Sequence, residues 1–258
     1  MSPRRSCGFT LIELLVVVAV IALLISILLP SLAAARAQAE RVLCASRLRQ
    51  WGIALRFYLD EFNDWLPTEG NANATSIVQD GTWYNELPPY VKAPKYRDYA
   101  NVDSGSLREL DERYPRIHIW ICPTKFKHKN VTSGSNKNQF HYAMNGVLDG
   151  FGSSSSTPPW LKEQGSDSIR LNEAIRVPGE SEATTVFMFD EWGNSASGGP
   201  GDAGCFHRDT ANILFVDGHV DAYRPEDFVV DGNFGSGRVL RFDHSQLYWG
   251  GYRGPPTP

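Results

Sequence analysis

Residues 8–36 read GFTLIELLVVVAVIALLISILLPSLAAAR, and this stretch decides the fold of the N-terminal part of the chain. Within it, the 21 residues 9–29 carry a single charge, at Glu13. As a helix this run is about 31 Å long, which matches the roughly 30 Å hydrocarbon core of a bilayer. Arg4 and Arg5 precede the run, and flanking positive charge stays on the cytoplasmic side. We therefore predict one transmembrane helix, with the rest of the chain outside the cytoplasm.

A cleaved secretory signal and a plain uncleaved anchor are the simpler interpretations of the same residues. The small residues Ala33-Ala34-Ala35 could serve a signal peptidase. The apolar run is nevertheless longer than the roughly 7–15 residues of a signal core, and neither interpretation needs Glu13. Because an isolated charge in lipid is costly, such a residue usually has a partner and a function. Glu13 therefore favours a helix that associates with another molecule.

The segment Gly8-Phe9-Thr10-Leu11-Ile12-Glu13 resembles the processing site of type IV pilins and type II secretion pseudopilins. The resemblance implies cleavage after Gly8 by a prepilin peptidase, followed by N-methylation of Phe9. It also implies that Glu13 aids assembly with other pilin-like subunits through the N-terminal helix. Cleavage creates an α-amine whose pKa is about 7.7–8.0. A neighbouring subunit's carboxylate is the natural partner for that cation in a medium of low dielectric constant.

A second resemblance lies in the C-terminal half, where His207 is followed by nine residues and then Asp217-Gly218. This segment is similar to the H-X9-DG segment of a large set of prepilin-like proteins, and the resemblance implies no chemistry for it. We interpret His207 as a structural residue that hydrogen-bonds the turn or a neighbouring loop, and not as a catalytic one. Smaller similarities to the same set lie at residues 44–58, 121–123 and 142–146.

The composition of the chain limits the size of the domain and the classes of function that are open to it. Without leader and anchor, about 230 of the 258 residues are left, enough for one domain. A net charge of −4 argues against a nucleic-acid partner. The sequence contains no dinucleotide fingerprint, phosphate loop, paired-histidine zinc motif or Gly-x-Ser-x-Gly elbow. We therefore predict that the protein is not an enzyme.

The helix is predicted to continue beyond the membrane, because residues 31–62 are rich in Ala, Leu, Arg, Gln and Glu. Asn63-Asp64 and then Pro67 predict where it ends. Apolar residues recur at spacings of three and four, which places them on one helical face. They are Cys44, Leu48, Trp51, Leu55, Tyr58 and Phe62.

The rest of the chain predicts short strands separated by long polar loops. Residues 117–121, 140–144 and 184–189 read as strands, and residues 212–223 read as a hairpin with a two-residue turn at Asp217-Gly218. In that register Phe215 lies opposite Val220, and these two residues with Ile213 form the face that packs on Trp51, Leu55 and Phe62. The predicted fold is α+β and pilin-like, with a long N-terminal helix packed on an antiparallel β-sheet.

Three of the four cysteines are expected outside the cytoplasm, where disulfides persist. Cys7 belongs to the leader. Cys44 lies on the apolar helix face and Cys122 follows the predicted strand 117–121, so the two either form a disulfide or remain two buried thiols. The sequence leaves the fate of Cys205 open.

We predict no cofactor and no transition-metal site. Five acidic or histidine residues lie close together in and before the hairpin, but the turn and its exposed face account for them: His207, Asp209, Asp217, His219 and Asp221. Pseudopilins often hold calcium in C-terminal loops, and the candidate ligands here would be Asp217, Asp227, Asp231 and Asp243. No EF-hand spacing supports such a site.

The predicted organisation is a leader (1–8), a transmembrane half-helix (9–30), an outer half-helix (31–66) and a globular β-rich domain (67–258). This organisation indicates a single-pass inner-membrane protein with a periplasmic domain, found in a fibre or at the cell surface after assembly. The function that explains the N-terminal features is a prepilin-like structural subunit of a type IV pilus-like or type II secretion pseudopilus fibre. The alternative is a membrane-anchored module that binds a glycan or an exported protein, as a minor pilin at a fibre tip would.

The mature chain is expected to begin at Phe9 with an N-methyl group. Intact-mass analysis and N-terminal peptide analysis of the membrane-purified protein measure this directly. A chain that still begins at Met1 or Ser2, or one that begins near Arg36, would contradict the prediction.

Overall fold

A computed structural model of the chain describes residues 10–68, 80–100, 118–127, 140–148, 170–175, 181–191, 196–198 and 203–224. The chain divides into two compact units, Met1–Ala39 and Glu40–Pro258. In the first unit the described residues are almost entirely helical and exposed. The second unit contains the sheet and the hydrophobic core.

Helix α1 spans Leu11–Glu61, with Pro30 inside it. Its end follows from the two residues Asn63 and Asp64, which take left-handed backbone angles of φ 51° and 65°. Asn and Asp adopt this conformation more readily than most residues, and it commonly terminates a helix. The end of the helix was therefore predicted correctly from the sequence.

Five strands form one sheet in the part of the chain that the structure describes. They are β1 (Tyr142–Asn145), β2 (Val186–Asp190), β3 (Ser197–Gly198), β4 (Ala211–Phe215) and β5 (Val220–Tyr223). Their order is β3-β1-β2-β4-β5. The β1–β2, β2–β4 and β4–β5 pairs are antiparallel, whereas β3 runs parallel to β1. The fold is α+β as predicted, and its sheet is mixed.

Short helical segments make up most of the remaining described structure. The α-helical ones are Trp83–Glu86, Tyr96–Ala100, Pro123–Lys127 and Leu171–Ala174. The 3-10 turns are Pro88–Val91, His118–Trp120 and Gly146–Leu148.

The predicted apolar face of α1 forms one side of the main core. Cys44, Leu48, Trp51, Leu55 and Tyr58 are buried, and Phe62 packs against them. The Trp51 ring meets the rings of Trp83 and Trp120 edge-on, with centroids 5.2 and 4.8 Å apart. Aromatic rings prefer this geometry and bury much apolar area. The outer part of α1 is therefore a core element of the domain.

The hairpin register differs from the predicted one by one residue. Leu214, and not Phe215, lies opposite Val220, because the loop has three residues, 216–218, instead of two. The Gly218 amide donates to the Phe215 carbonyl oxygen at 3.0 Å, and Gly218 has φ 93°. A turn that ends in a left-handed glycine is the common three-residue hairpin loop.

The sheet face toward α1 was also predicted wrongly. Leu214 and Val216 belong to the core that contains α1, whereas Ile213 and Phe215 lie in a second buried cluster. Val220 packs against the α1 core, as predicted. Because β4 is buried on both faces, its sequence does not alternate between apolar and polar residues. The pattern therefore could not tell which face meets the helix.

Residues 117–121 do not form the predicted strand. Residue 117 lies outside the described residues, and His118–Trp120 is a 3-10 turn. The Ile119 carbonyl oxygen accepts a hydrogen bond from Trp51 Nε1 at 3.1 Å, and the Ile121 carbonyl oxygen accepts one from Arg47. Side chains of α1 therefore satisfy backbone groups that a neighbouring strand would otherwise bind.

Replacing Trp51 by Ala should strongly destabilise the domain, because deletion of a fully buried Trp costs about 3–5 kcal/mol. We expect the melting temperature to fall by roughly 10 °C, measured by near-ultraviolet circular dichroism. Arg49→Ala, an exposed position on the same helix, is the control and should hardly change it. Equal melting temperatures for Trp51→Ala and the wild type would show that α1 is not a core element.

Candidate functional site

Helix α1 begins with reciprocal hydrogen bonds between Thr10 and Glu13. Glu13 Oε2 accepts from the Thr10 backbone amide and from the Thr10 hydroxyl, each at 2.8 Å. The Glu13 amide in turn donates to Thr10 Oγ1 at 3.3 Å. This is a capping box, in which a Thr-x-x-Glu sequence satisfies backbone donors of the first helical turn. The pair fixes the start of α1 next to the predicted cleavage site.

The processing residues Gly8 and Phe9 lie outside the described residues, so their roles remain predictions. Glu13 is described, and its bond to Thr10 is a role within one chain that the sequence interpretation missed. A Thr three residues before a Glu at the start of an apolar run is the recognised signal for a capping box. That signal was present in residues 10–13.

The first part of α1 exposes a continuous apolar surface. All its large apolar side chains from Leu11 to Leu32 are exposed. Soluble monomeric proteins rarely expose apolar patches larger than a few hundred Å². By length and composition α1 can cross a membrane. These features fit a protein anchored in the inner membrane.

A buried pair of cysteines lies between α1 and the segment that precedes the helix Pro123–Lys127. Cys44 Sγ on α1 is 2.7 Å from Cys122 Sγ, and both side chains are fully buried. The structure thus brings together the two cysteines that the sequence suggested as partners, 78 residues apart in the chain. Cys205 is not part of this pair, since it packs against the second cluster.

His207 joins the cysteine pair through its ring. Its Nε2 lies 3.5 Å from Cys122 Sγ and 3.2 Å from Asp190 Oδ2. Its Nδ1 lies 3.2 Å from Thr124 Oγ1. Burial opposes a charge on His207, but the hydrogen bonds to Asp190 and Cys122 and the Asp190 carboxylate outweigh it and raise its pKa to about 10. The imidazole is therefore a cation that donates from both nitrogens.

Asp190, at the end of β2, is the anion of this cluster. Its Oδ2 also accepts from the Asn212 backbone amide at 2.8 Å and from Asn212 Nδ2 at 2.9 Å. Its Oδ1 has no partner among the described residues. A buried carboxylate needs such partners, because an unpaired buried charge is strongly destabilising.

The backbone of the Cys122 segment is held from the helix side and from the sheet side. From α1, Arg47 and Trp51 donate to carbonyl oxygens of residues 121 and 119. From the sheet side, His141 Nδ1 accepts from the Cys122 amide at 2.8 Å. Burial and the nearby Lys125 cation lower the pKa of His141 to about 3, so its ring is neutral and can accept this bond.

A buried ion pair lies beside the cysteine segment. Lys125 Nζ is 2.9 Å from Glu191 Oε2 and 2.6 Å from the Phe140 carbonyl oxygen. Burial lowers the pKa of Lys125, while Glu191 opposes this effect. Removing one partner of such a pair is far more destabilising than replacing both. Substitution of either Lys125 or Glu191 alone should therefore destabilise this region.

The arrangement could in principle hold a metal ion, since Cys44, Cys122 and His207 offer ligand atoms within 4.8 Å of one another. The sequence predicted no such cluster. Two thiolates on one tetrahedral zinc, each about 2.3 Å from the metal, would lie roughly 3.8 Å apart. The observed 2.7 Å between the sulfur atoms is closer to the length of a disulfide bond, about 2.05 Å. The geometry therefore favours a disulfide over a metal site.

The same cluster contains a Cys, a His and an Asp, the groups of a nucleophilic site. All three side chains are buried, and burial raises the pKa of the Cys122 thiol well above its usual range. Only a thiolate is nucleophilic, and buried structural cysteines are inert. The cluster is therefore suited to holding structure together and not to catalysis.

Of the predicted calcium ligands, Asp217 alone lies among the described residues. Asp217 Oδ1 accepts from the His219 amide at 3.0 Å and lies 2.6 Å from His219 Nδ1, so the turn itself engages it. The other calcium candidates, Asp227, Asp231 and Asp243, lie outside the described residues, and calcium remains an untested prediction.

Sequence reasoning missed that His207 and Asp190 meet the cysteines. The sequence predicts that His207 contacts the turn or a nearby loop, and it assigns no role to Asp190, which follows the predicted strand 184–189. The four residues are widely separated in the chain, and no local spacing relates them. Only the packing of α1, β2 and the turn before β4 brings them together.

Residues 3–29 match the family described as the prokaryotic N-terminal methylation motif. No curated protein and no solved structure matches the chain. The match agrees with the resemblance to type IV pilin-like proteins that residues 8–13 carry, and this motif marks structural subunits. It does not extend to residues 207–218.

The stability of the domain should fall as the pH rises from about 6.5 to about 10. An unfolded His loses its proton near pH 6.5, whereas folded His207 keeps it until about pH 10. The stabilisation by protonated His207 is therefore complete below about pH 6.5 and is lost through this window. Urea unfolding of the reduced protein, in which Cys122 is a thiol, measures the slope across this window.

His207→Gln should flatten that slope, whereas His219→Gln, at a more exposed position in the same hairpin, should not. A His207→Gln variant with the wild-type slope would contradict the assignment of the proton to His207.

Proposed function

We propose that this protein is a prepilin-like structural subunit of a type IV pilus-like or type II secretion pseudopilus fibre. A prepilin peptidase removes residues 1–8 and Phe9 is N-methylated. Residues 9–30 anchor the chain in the inner membrane, and the domain that follows lies in the periplasm. Assembly through α1 then moves the subunit into a fibre. The protein acts as a building block and not as an enzyme.

The observation that carries the proposal is the methylation motif joined directly to an exposed apolar helix. The motif covers residues 3–29, and the apolar surface continues to Leu32. A plain anchor requires the apolar surface and a capping residue at position 13, but it does not require a charge there, since Gln also completes a capping box. A subunit that packs helix against helix in a fibre requires both the apolar surface and the charge.

Glu13 has two separable roles in this proposal. Within one chain it completes the capping box with Thr10 through Oε2. In the fibre its negative charge neutralises the α-amine of a neighbouring subunit's Phe9. The first role needs only a hydrogen-bond acceptor, since Gln also serves in a capping box. The second role needs the charge.

Cys44 and Cys122 form a disulfide in the exported domain. Support comes from the 2.7 Å separation of their sulfur atoms and from the oxidising periplasm. The bond ties α1 to the segment before helix Pro123–Lys127. It therefore links the part of the chain that assembles to the part that forms the sheet.

Glu13→Gln tests the assembly role, because it removes the charge and keeps the capping box. Breaking a buried ion pair costs about 3–5 kcal/mol, so we expect filament yield to fall by more than about tenfold. The variant should still insert in the membrane and be processed. Sheared surface filaments, quantified against the membrane pool, give the measurement. Glu13→Arg should assemble even less well, because two cations would then face each other.

Thr10→Val is the matched control, since it removes the capping hydroxyl and leaves the Glu13 charge. It should assemble nearly as well as the wild type. An equal loss in both variants would show that filament yield follows the Thr10–Glu13 hydrogen bonds and not the Glu13 charge alone. Normal filament yield from Glu13→Gln would contradict the charge role of Glu13, whereas absence of the wild-type protein from filaments would contradict the subunit proposal and favour an anchored binding module.

A further inference from the structure

The segment from His207 to Gly218 has no role in the function proposed above, although both of its ends lie at helix α1. Between the two ends the chain forms a turn at residues 208–210, strand β4 and the first two residues of the hairpin loop. The turn is closed by backbone hydrogen bonds between His207 and Thr210 in both directions. Arg208 and Asp209 have left-handed backbone angles of φ 55° and 61°. Such strained residues persist only where their surroundings hold them.

The first end meets α1 through the cysteine pair. His207 bonds to Asp190 of β2 and to Thr124, two residues after Cys122, and its Nε2 lies beside Cys122 Sγ. The sulfur atom of Cys122 in turn contacts Cys44 of α1. The imidazole therefore holds the Cys122 segment to the sheet at the point where that segment faces the helix.

The second end meets α1 by direct backbone contact. A Cβ atom built on Gly52 of α1 would lie 3.0 Å from Gly218 Cα and 2.9 Å from Leu214 Cδ1. Such a Cβ would push the Gly218 backbone away by a few tenths of an ångström and would displace the end of the Leu214 side chain. The hairpin loop lies this close to α1 because position 52 has no side chain, and φ 93° at Gly218 also favours glycine.

The distances along the two elements agree. Cys44 and Gly52 are eight residues apart, which is about 12 Å along a helix. The first and last residues of β4 are four residues apart, which is about 13 Å along a strand. Between the ends, Leu214 and Val216 pack into the core with α1. Strand β4 therefore contributes to the core that contains α1, and the chain at its two ends is linked to the helix, directly at Gly218 and through Cys122 at His207.

We propose that residues 207–218 form a two-ended clasp on α1, whose function is to place Cys122 against Cys44 for disulfide formation. His207 is the positioning residue at one end, and the Gly218–Gly52 contact is the other end. The nine-residue spacing between His207 and Asp217 is the length of one turn, one strand and the start of one loop. The clasp rests on the proposed disulfide.

The reaction that reports on the clasp is thiol–disulfide exchange with glutathione. The thiols of Cys44 and Cys122 give up two protons and two electrons and form one S–S bond. One molecule of oxidised glutathione takes up both and becomes two molecules of reduced glutathione. The equilibrium constant of this exchange rises when the folded protein holds the two sulfur atoms together.

The experiment measures this constant for the full-length protein in detergent, by alkylation and peptide mass spectrometry in glutathione buffers. We expect His207→Gln to lower it by about tenfold or more, because a hydrogen bond to a charged group is worth at least that factor. Gly52→Ala should lower it as well, although Ala favours the helix itself. Near-ultraviolet circular dichroism checks that each variant is folded. If His207→Gln fails to fold, Thr124→Val removes only the partner of Nδ1.

Two controls separate the clasp from general destabilisation. Asp221→Asn changes an exposed residue of strand β5, and Ser46→Ala changes an exposed position of the same helix. Both should leave the constant unchanged. The double variant of His207→Gln and Gly52→Ala should lose less than the product of the two single effects, because one broken end already releases the segment.

The outcomes distinguish the clasp from the disulfide on which it rests. A wild-type protein that keeps two free thiols in oxidised glutathione, with or without a bound zinc ion, would overturn both. A disulfide that forms equally well in the wild type and in both clasp variants would overturn the clasp alone. Effects of the two variants that simply multiply would show two independent contacts and would also overturn it.

Discussion

Burial of one face of α1 is the constraint on which the rest of the domain depends. The Trp51 side chain packs against the rings of Trp83 and Trp120 and also donates a hydrogen bond to the Ile119 carbonyl oxygen. One residue thus contributes to the aromatic core and to the backbone hydrogen bonds of the Cys122 segment. Helix α1 thus supplies seven buried residues to the main core, namely Cys44, Leu48, Trp51, Ala54, Leu55, Tyr58 and Leu59.

The same helix has to satisfy two different environments. Up to Leu32 its large apolar side chains are all exposed, which suits lipid. From Cys44 onward it buries one face and keeps charged residues such as Arg49 outside. A charged side chain is costly in lipid but not on a solvent-exposed face of a helix. Glu13 is the exception in the apolar part, and its bonds to Thr10 reduce the cost of that charge within one chain.

Much of the polar structure in the domain follows from closing the helix against the sheet. Cys44, Cys122, His207 and Asp190 lie in a fully enclosed region, where each polar atom needs a partner. Asn212, Thr124 and His141 bond to Asp190 Oδ2, to His207 and to the Cys122 amide, whereas Asp190 Oδ1 has no partner among the described residues. A network of this kind has few alternative arrangements, so it favours one docking of the helix over others. The burial of His207 is therefore explained by its structural role in this network, without a role in catalysis.

The sequence alone determined the apolar segment, the capping signal at Thr10 and Glu13, the buried face of α1 and the place where the helix ends. These features are local, because helical periodicity and capping depend on residues only three or four positions apart. Tertiary structure alone decided the hairpin register, the face of β4 that meets α1 and the meeting of His207 with Cys122. A strand buried on both faces has no polar side to orient it, and residues that far apart in the chain meet only through packing.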